Sequence, residues 1–279
     1  MKKALLLFTV ICISNITIHA QSIIVGTFNI RYDNPRDSGN LWADRKAYVA
    51  ALIRFHDFDV FGTQEGLKHQ LDDIQQQLPQ YERYGIGRDD GVSKGEFSAI
   101  FYKKEKYQLI KSGDFWLSET PDKPGFGWDA RINRICSWVQ LKDITTGQSF
   151  FCFNVHFDHQ GVVARKESSK LLLSKISSIS GKNPVIVTGD FNGDHTTEWY
   201  QTIANSSIVK DSFREVPYPY MNNGSFQNFG KNFNAREIID HIFISPHFKV
   251  KRWGVLTDSY SGKFPSDHFP ILTELAWKK

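Results

Sequence analysis

Polar side chains suited to metal and phosphate chemistry stand where apolar runs stop along this chain. They are Asn29 in TFNIRYDN, Glu65 in GTQEG, His156 and Asp158 in NVHFDH, Asp190 and Asn192 in GDFN, Asp240 and His241 in IDHIF, and Asp267 and His268 in PSDHFP. Carboxylate and amide oxygens suit a hard cation, a carboxylate can take a proton from water, and an imidazole beside a carboxylate carries a controlled charge. Each residue alone has a plainer reading, because Asp and Asn form turns and cap helices and a single His is commonly a satisfied core or surface group. Their recurrence at the ends of apolar runs calls for a scaffold that gathers them.

The pattern between them describes that scaffold. PVIVTGDFN puts Val185 to Val187 in a buried strand that stops at Gly189 and Asp190, and strand ends are where a rigid sheet presents reactive groups. Extended backbone would point Asp190 and Asn192 to one side and turn Phe191 into packing. Further strand-like runs cover residues 22–30, 59–64, 98–103, 136–142, 149–157, 238–245 and 269–275, and helical spacing covers 44–55, 66–78 and 163–179. Residues 136–157 read as a hairpin, and several strands follow one another with no helix between. This order predicts an α+β fold of two packed mixed β-sheets with helices outside, not a doubly wound parallel sheet.

The chain opens with MKKALLLFTVICISNITIHA, in which Lys2 and Lys3 precede an apolar run and Ala20 offers a cleavage point. This predicts a signal peptide over residues 1–20, a single domain over 21–279, and export to the periplasm or beyond, with no transmembrane segment. The full chain has 34 basic and 30 acidic side chains; without Lys2 and Lys3, 32 face 30, a net charge of +2. No basic run or stripe of the kind that grips nucleic acid is present in the sequence. Cys136 and Cys152 read as small buried residues, their spacing gives no zinc site, and whether they are bonded stays open.

TFN, TQEG, NVHF, GDFN, IDHIF and SDHFP, in that order and spacing, resemble the endonuclease/exonuclease/phosphatase superfamily. That superfamily includes DNase I-like nucleases, deadenylases, inositol polyphosphate 5-phosphatases and bacterial sphingomyelinases, and the likeness here is to a bacterial secreted branch. It implies a four-layer α/β/β/α sandwich with the site at one edge of the paired sheets, and Mg²⁺-dependent phosphoester hydrolysis, with Mn²⁺ as a substitute. Carried over residue by residue, it makes Glu65 the principal metal-binding acid with Asn29 beside it, and Asp267 a second metal-binding or supporting acid. Asp190 corresponds to the group that activates or orients water, Asn192 to its neighbour, His268 and His156 to phosphate contacts, and Asp240 to the acid that orients His268.

Two long loops, 85–96 and 118–134, are candidates for specificity; the second carries Phe126, Trp128, Arg131 and Arg134. Trp128 and Arg134 are the proposed substrate-binding residues, since an aromatic ring and a guanidinium can stack and hold a base, a sugar or an inositol phosphate. For Arg134 a surface salt bridge is an equal alternative. His241 is expected in a structural role, Asp158 and His159 as extensions of the site, with a strand-end turn an equal alternative for Asp158, and Asp194 and His195 in a loop that starts a helix. A small phosphorylated compound or short phosphodiester is the expected substrate, with a nuclease or lipid phosphodiesterase as alternatives and a non-catalytic binding module as the other class. Long nucleic acid is disfavoured by the near-neutral charge.

Overall fold

Along most of the interior strands, one face runs from apolar to polar toward the same end of the molecule, and this gradient organises the fold. The computed structural model describes residues 22–233 and 237–278, so the expected signal peptide lies outside the described residues. In chain order the elements are β1 (Ser22–Asn29), α1 (Trp42–His56), β2 (Val60–Gly66), α2 (Lys68–Gln77), β3 (Tyr81–Tyr84), β4 (Phe97–Lys103), β5 (Tyr107–Trp116), β6 (Ile135–Asp143), β7 (Ser149–His156), α3 (Val162–Ser180), β8 (Val185–Asp190), α4 (Glu198–Ala204), β9 (Lys210–Asp211), β10 (Asp240–Ile244), β11 (Phe248–Val255) and β12 (Ile271–Trp277).

They form two six-stranded sheets, ordered β11-β12-β1-β2-β4-β3 and β5-β6-β7-β8-β10-β9. Each contains one parallel pair, β1 with β2 and β7 with β8, and the remaining pairings are antiparallel. Helix α1 makes the crossover of the first pair and α3 that of the second. The expected hairpin is β6 with β7.

Three apolar clusters fill the interfaces between four layers. Ile23, Val25 and Val60 meet Phe150, Cys152, Ile186 and Ile242 between the sheets. Phe28, Phe61 and Phe101 pack beneath α1 and α2, and Phe153, Val155 and Val187 beneath α3 and α4. Each such side chain, removed from water, contributes about 1.5–3 kcal/mol. Cys136 and Cys152 are buried and free. Among the described residues no helix is long and apolar enough to cross a membrane.

Strand alternation explains how the same face carries both core and chemistry. Positions 150, 152, 154 and 156 of β7 read Phe, Cys, Asn, His, and positions 186, 188 and 190 of β8 read Ile, Thr, Asp. Midway, Asn154 ties the sheets together: its Nδ2 donates to the carbonyls of Thr63 (2.8 Å) and Ala99 (3.0 Å), and its Oδ1 accepts from Gln64 (2.7 Å) and Thr188 (3.0 Å). Gly62 is required at this crossing, since a Cβ there would lie 2.3 Å from both Asn154 Oδ1 and Thr188 Oγ1.

Candidate active site

The C-terminal ends of the two parallel pairs meet, and the polar ends of their strands line one cavity. Asn29 ends β1, Glu65 lies near the end of β2, His156 ends β7 and Asp190 ends β8. Asp240, the first residue of β10, pairs with Asp190 across the antiparallel ladder. Asp267 and His268 arrive on the loop before β12, where Ser266 Oγ donates to the Asn29 carbonyl at 2.7 Å. Buried Arg45 secures this end by donating to the carbonyls of Ile30 (3.0 Å) and Pro265 (2.6 Å).

Glu65 breaks the alternation of its strand. Its φ of 63° and a register shift between Thr63 and Gly66 form a bulge that re-aims the carboxylate into the cavity. Asn29 Nδ2 then donates to Glu65 Oε1 and to Asp190 Oδ2, both at 3.0 Å, and its Oδ1 accepts from the Arg31 backbone N–H at 3.0 Å. Asn29 is thus a clamp between the two carboxylates and presents its NH₂ to them, whereas the sequence suggested a metal-facing oxygen.

Asp190 and Asn192 share the cavity, but not through extended backbone. Asn192 has φ 47°, and its N–H donates to Asp190 Oδ1 at 2.9 Å, so a tight turn after the strand sets their geometry. Phe191 packs in the core as expected. Burial and the nearby Asp240 charge push the Asp190 carboxyl up to about 7, against the opposing pull of His268 and the Asn192 N–H.

The two histidines have opposite electrostatics. His268 Nδ1 donates to Asp240 Oδ2 at 2.8 Å and its Nε2 lies 3.9 Å from Asp190 Oδ2. Burial works against its charge, but Asp240 and Asp190 outweigh it and raise the ring to about 10. His156 Nε2 lies 3.5 Å from the same Asp190 oxygen, while burial and then Arg134 and Arg88 drive its pKa well below the ordinary value. One imidazole is a cation and the other is neutral on either side of one carboxylate.

Asp190, Asp240 and His268 come close enough to suggest a metal site of their own. The charged His268 ring, with Nδ1 already donating, has no lone pair to offer a cation there. Glu65 and Asp267 fit better. Both line the cavity, Arg31 stands 3.8 and 3.7 Å from them, and burial raises Asp267, which His268 and Arg31 pull down and Glu65 pushes up further. Two hard carboxylates crowded in this way would be relieved by a divalent cation.

The cavity, about 590 Å³, is lined by Glu65, Arg134, His156, His159, Asp190, Asn192, Asp267 and His268 among the sequence-derived candidates. Asn29 lies buried beneath it and Asp240 behind His268. Trp128 does not reach its wall. It is half-buried with φ 52°, its N–H donating to the Glu119 carboxylate (3.1 Å), and the loop instead sends Ile132 and Arg134 inward. Arg134 is buried, donates to His159 Nδ1 at 3.1 Å, lies 3.7 Å from Asp158, and keeps Nη1 unpaired.

Arg31, Tyr32, Arg88, Glu96, Phe226, Asn228 and Ile239 complete the lining and were not singled out from sequence. Arg31 and Tyr32 follow Asn29 after Ile30, so their closeness to it in sequence was the available signal; Arg88 and Glu96 lie in a Gly- and Asp-rich loop that reads only as turns. His241, adjacent to Asp240, faces away as expected and joins Asp211 (3.2 Å) and the Gly193 carbonyl (3.0 Å). It borders a separate, largely apolar hollow of about 280 Å³ that contains none of the candidate catalytic residues.

Comparison with known proteins agrees with this fold. The sequence model described as Endonuclease/Exonuclease/phosphatase family matches residues 26–268. The chain is similar to an endonuclease/exonuclease/phosphatase family protein from Bacteroides thetaiotaomicron, at 46% identity with TM-score 0.90, over 93% of this chain and 99% of that one. It is equally similar to a mannosyl-6-phosphatase of the same organism, at 46% identity with TM-score 0.89, over 91% of this chain and 100% of that one. An uncharacterized protein of Acanthamoeba polyphaga mimivirus is 28% identical over 83% of this chain and 91% of its own length.

Proposed function

Because the chain belongs to the endonuclease/exonuclease/phosphatase family and is a hydrolase of phosphoester bonds, we propose that it is an exported phosphomonoesterase acting on a sugar phosphate with Mg²⁺ as cofactor. The observation that carries this reading is the division of one cavity into two poles: Glu65 and Asp267 on one side, Asp190 with His156 and His268 on the other, joined by Asn29. The similarity to a mannosyl-6-phosphatase supports the substrate class, and the apolar N-terminal run after Lys2 and Lys3 supports export.

Glu65 and Asp267 would hold the cation. Bound there, Mg²⁺ supplies charge withdrawal from the phosphoryl group, with Mn²⁺ able to replace it. The protein does the rest. The unpaired Nη1 of Arg134 and the His268 imidazolium bind and orient phosphate oxygens. Asp190, fixed by hydrogen bonds to both carboxylate oxygens and carrying a pKa near neutrality, accepts the proton of the attacking water at a carboxylate oxygen. Neutral His156, 3.5 Å from Asp190 Oδ2, helps hold that carboxylate in place.

Phosphate release from mannose 6-phosphate, with and without EDTA and restored by Mg²⁺, tests the reading. Turnover confined to nucleic acid or phospholipid, or full activity in demetallated buffer, would refute it.

A further inference from the structure

We propose that Arg88 and Glu96 are specificity residues that read the hydroxyls of the substrate's sugar ring; this rests on the sugar-phosphate reading above. Arg88 Nη1 and Nη2 donate to Glu96 Oε2 and Oε1 at 2.6 and 2.8 Å, and the pair lines the cavity beside Arg134 and His156. Arg88 is 9% exposed, yet its Nε has no hydrogen-bond partner, and neither has His156 Nδ1, which lies 4.0 Å from Glu96 Oε2. A void of about 10 Å³ among Arg88, Glu96, Arg134 and His156 continues from the cavity wall.

The loop carrying the pair is closed without it. Arg88 N–H donates to the Glu96 carbonyl, Asp89 N–H to the Lys94 carbonyl and Trp116 Nε1 to the Arg88 carbonyl. Asp90 Oδ1 in addition accepts the backbone N–H groups of Val92, Ser93 and Lys94. The ion pair is therefore not needed as a staple, and the loop holds it rigidly at the wall.

Its chemistry matches hydroxyls and not phosphate. A phosphate group presents acceptors and negative charge, which the Glu96 carboxylate repels. A sugar hydroxyl donates and accepts at once, and this pair offers both: second lone pairs on the Glu96 oxygens and the second N–H on each Arg88 Nη, while Nε turns toward Asp89, 3.9 Å away. Mutual neutralisation of the two charges leaves the cationic donors at Arg134 and His268 as the phosphate end.

The test compares mannose 6-phosphate with p-nitrophenyl phosphate, which has no hydroxyl groups on its ring. A lost hydrogen bond to a charged group is worth about tenfold or more, so Glu96→Gln should lower the ratio of kcat/KM for the sugar over the aryl ester by that factor, mainly through KM. Arg88→Lys keeps the charge, loses the fork, and should lower the same ratio, which decides the matter if Glu96→Gln melts early. A ratio within about twofold of wild type, which includes equal losses on both esters, overturns the proposal. Wild-type protein that releases phosphate from neither ester instead refutes the monoesterase reading itself.

Discussion

The two halves of the cavity use one structural device for different chemistry. In the first sheet a parallel pair crossed over by α1 ends in Asn29 and Glu65; in the second, a parallel pair crossed over by α3 ends in His156 and Asp190. The first half collects hard oxygen donors, with Asp267 completing them, and needs a bulge at Glu65 to do so. The second half collects a carboxylate and two imidazoles of opposite charge, and needs no bulge because alternation already points His156 and Asp190 inward. In both halves the sheets supply rigidity and direction, while the terminal residues and their turns decide which pole offers oxygen donors suited to a cation and which offers a carboxylate suited to proton transfer.

The largest expected effect breaks the second half. Asp190→Ala should lower kcat by about a hundredfold or more with an essentially unchanged melting temperature, as steady-state kinetics and calorimetry would show. Near wild-type turnover would mean that the proton is taken elsewhere.

A smaller effect sharpens the role of His268. Asp240 is what lifts that ring to about 10 against the cost of burial, so Asp240→Asn should return it toward the ordinary value. The imidazolium is then lost at lower pH, the alkaline limb of the pH–rate profile moves to lower pH, and the rate at neutral pH falls about tenfold. An unmoved limb would separate His268 from catalysis.

Next along β10, His241 offers a control with stability as its readout. Burial opposes its charge, but Asp211 prevails and its pKa lies above 6.5. The pair's stabilisation is complete below pH 6.5 and fades as pH rises through the folded value. His241→Gln should cost about 3 kcal/mol at pH 6, with the gap to wild type narrowing toward pH 9. The smallest expected effect is that of Trp128→Ala, which should change kcat/KM less than about twofold because the ring is off the cavity wall. A large loss would show that loop 118–134 folds over substrate.

Legibility in the sequence followed burial. The eight strands marked by apolar runs are the interior strands of the two sheets, and the four left unmarked, β3, β5, β9 and β11, are the four edges. Edge strands carry charges that blur the pattern, as in FKVKRWGV of β11, whose burial reads buried, exposed, buried, exposed at its start. The His268–Asp240 pairing, implied by the family resemblance, is present at 2.8 Å. What alternation could not show was anything set by left-handed backbone: the aim of Glu65, the turn at Asn192 and the displacement of Trp128 all occur at positive φ. The Arg88–Glu96 wall was hidden because two distant positions of one loop meet only after its hydrogen bonds close.

Calorimetric titration of Mg²⁺ into wild type, Glu65→Gln and Asp190→Asn tests the division into poles most directly. Glu65→Gln is expected to weaken Mg²⁺ binding at least about tenfold, whereas Asp190→Asn should bind it near wild-type strength and yet fail to turn over substrate. Loss of binding in Asp190→Asn with retention in Glu65→Gln would place the cation at Asp190, Asp240 and His268 and contradict the account.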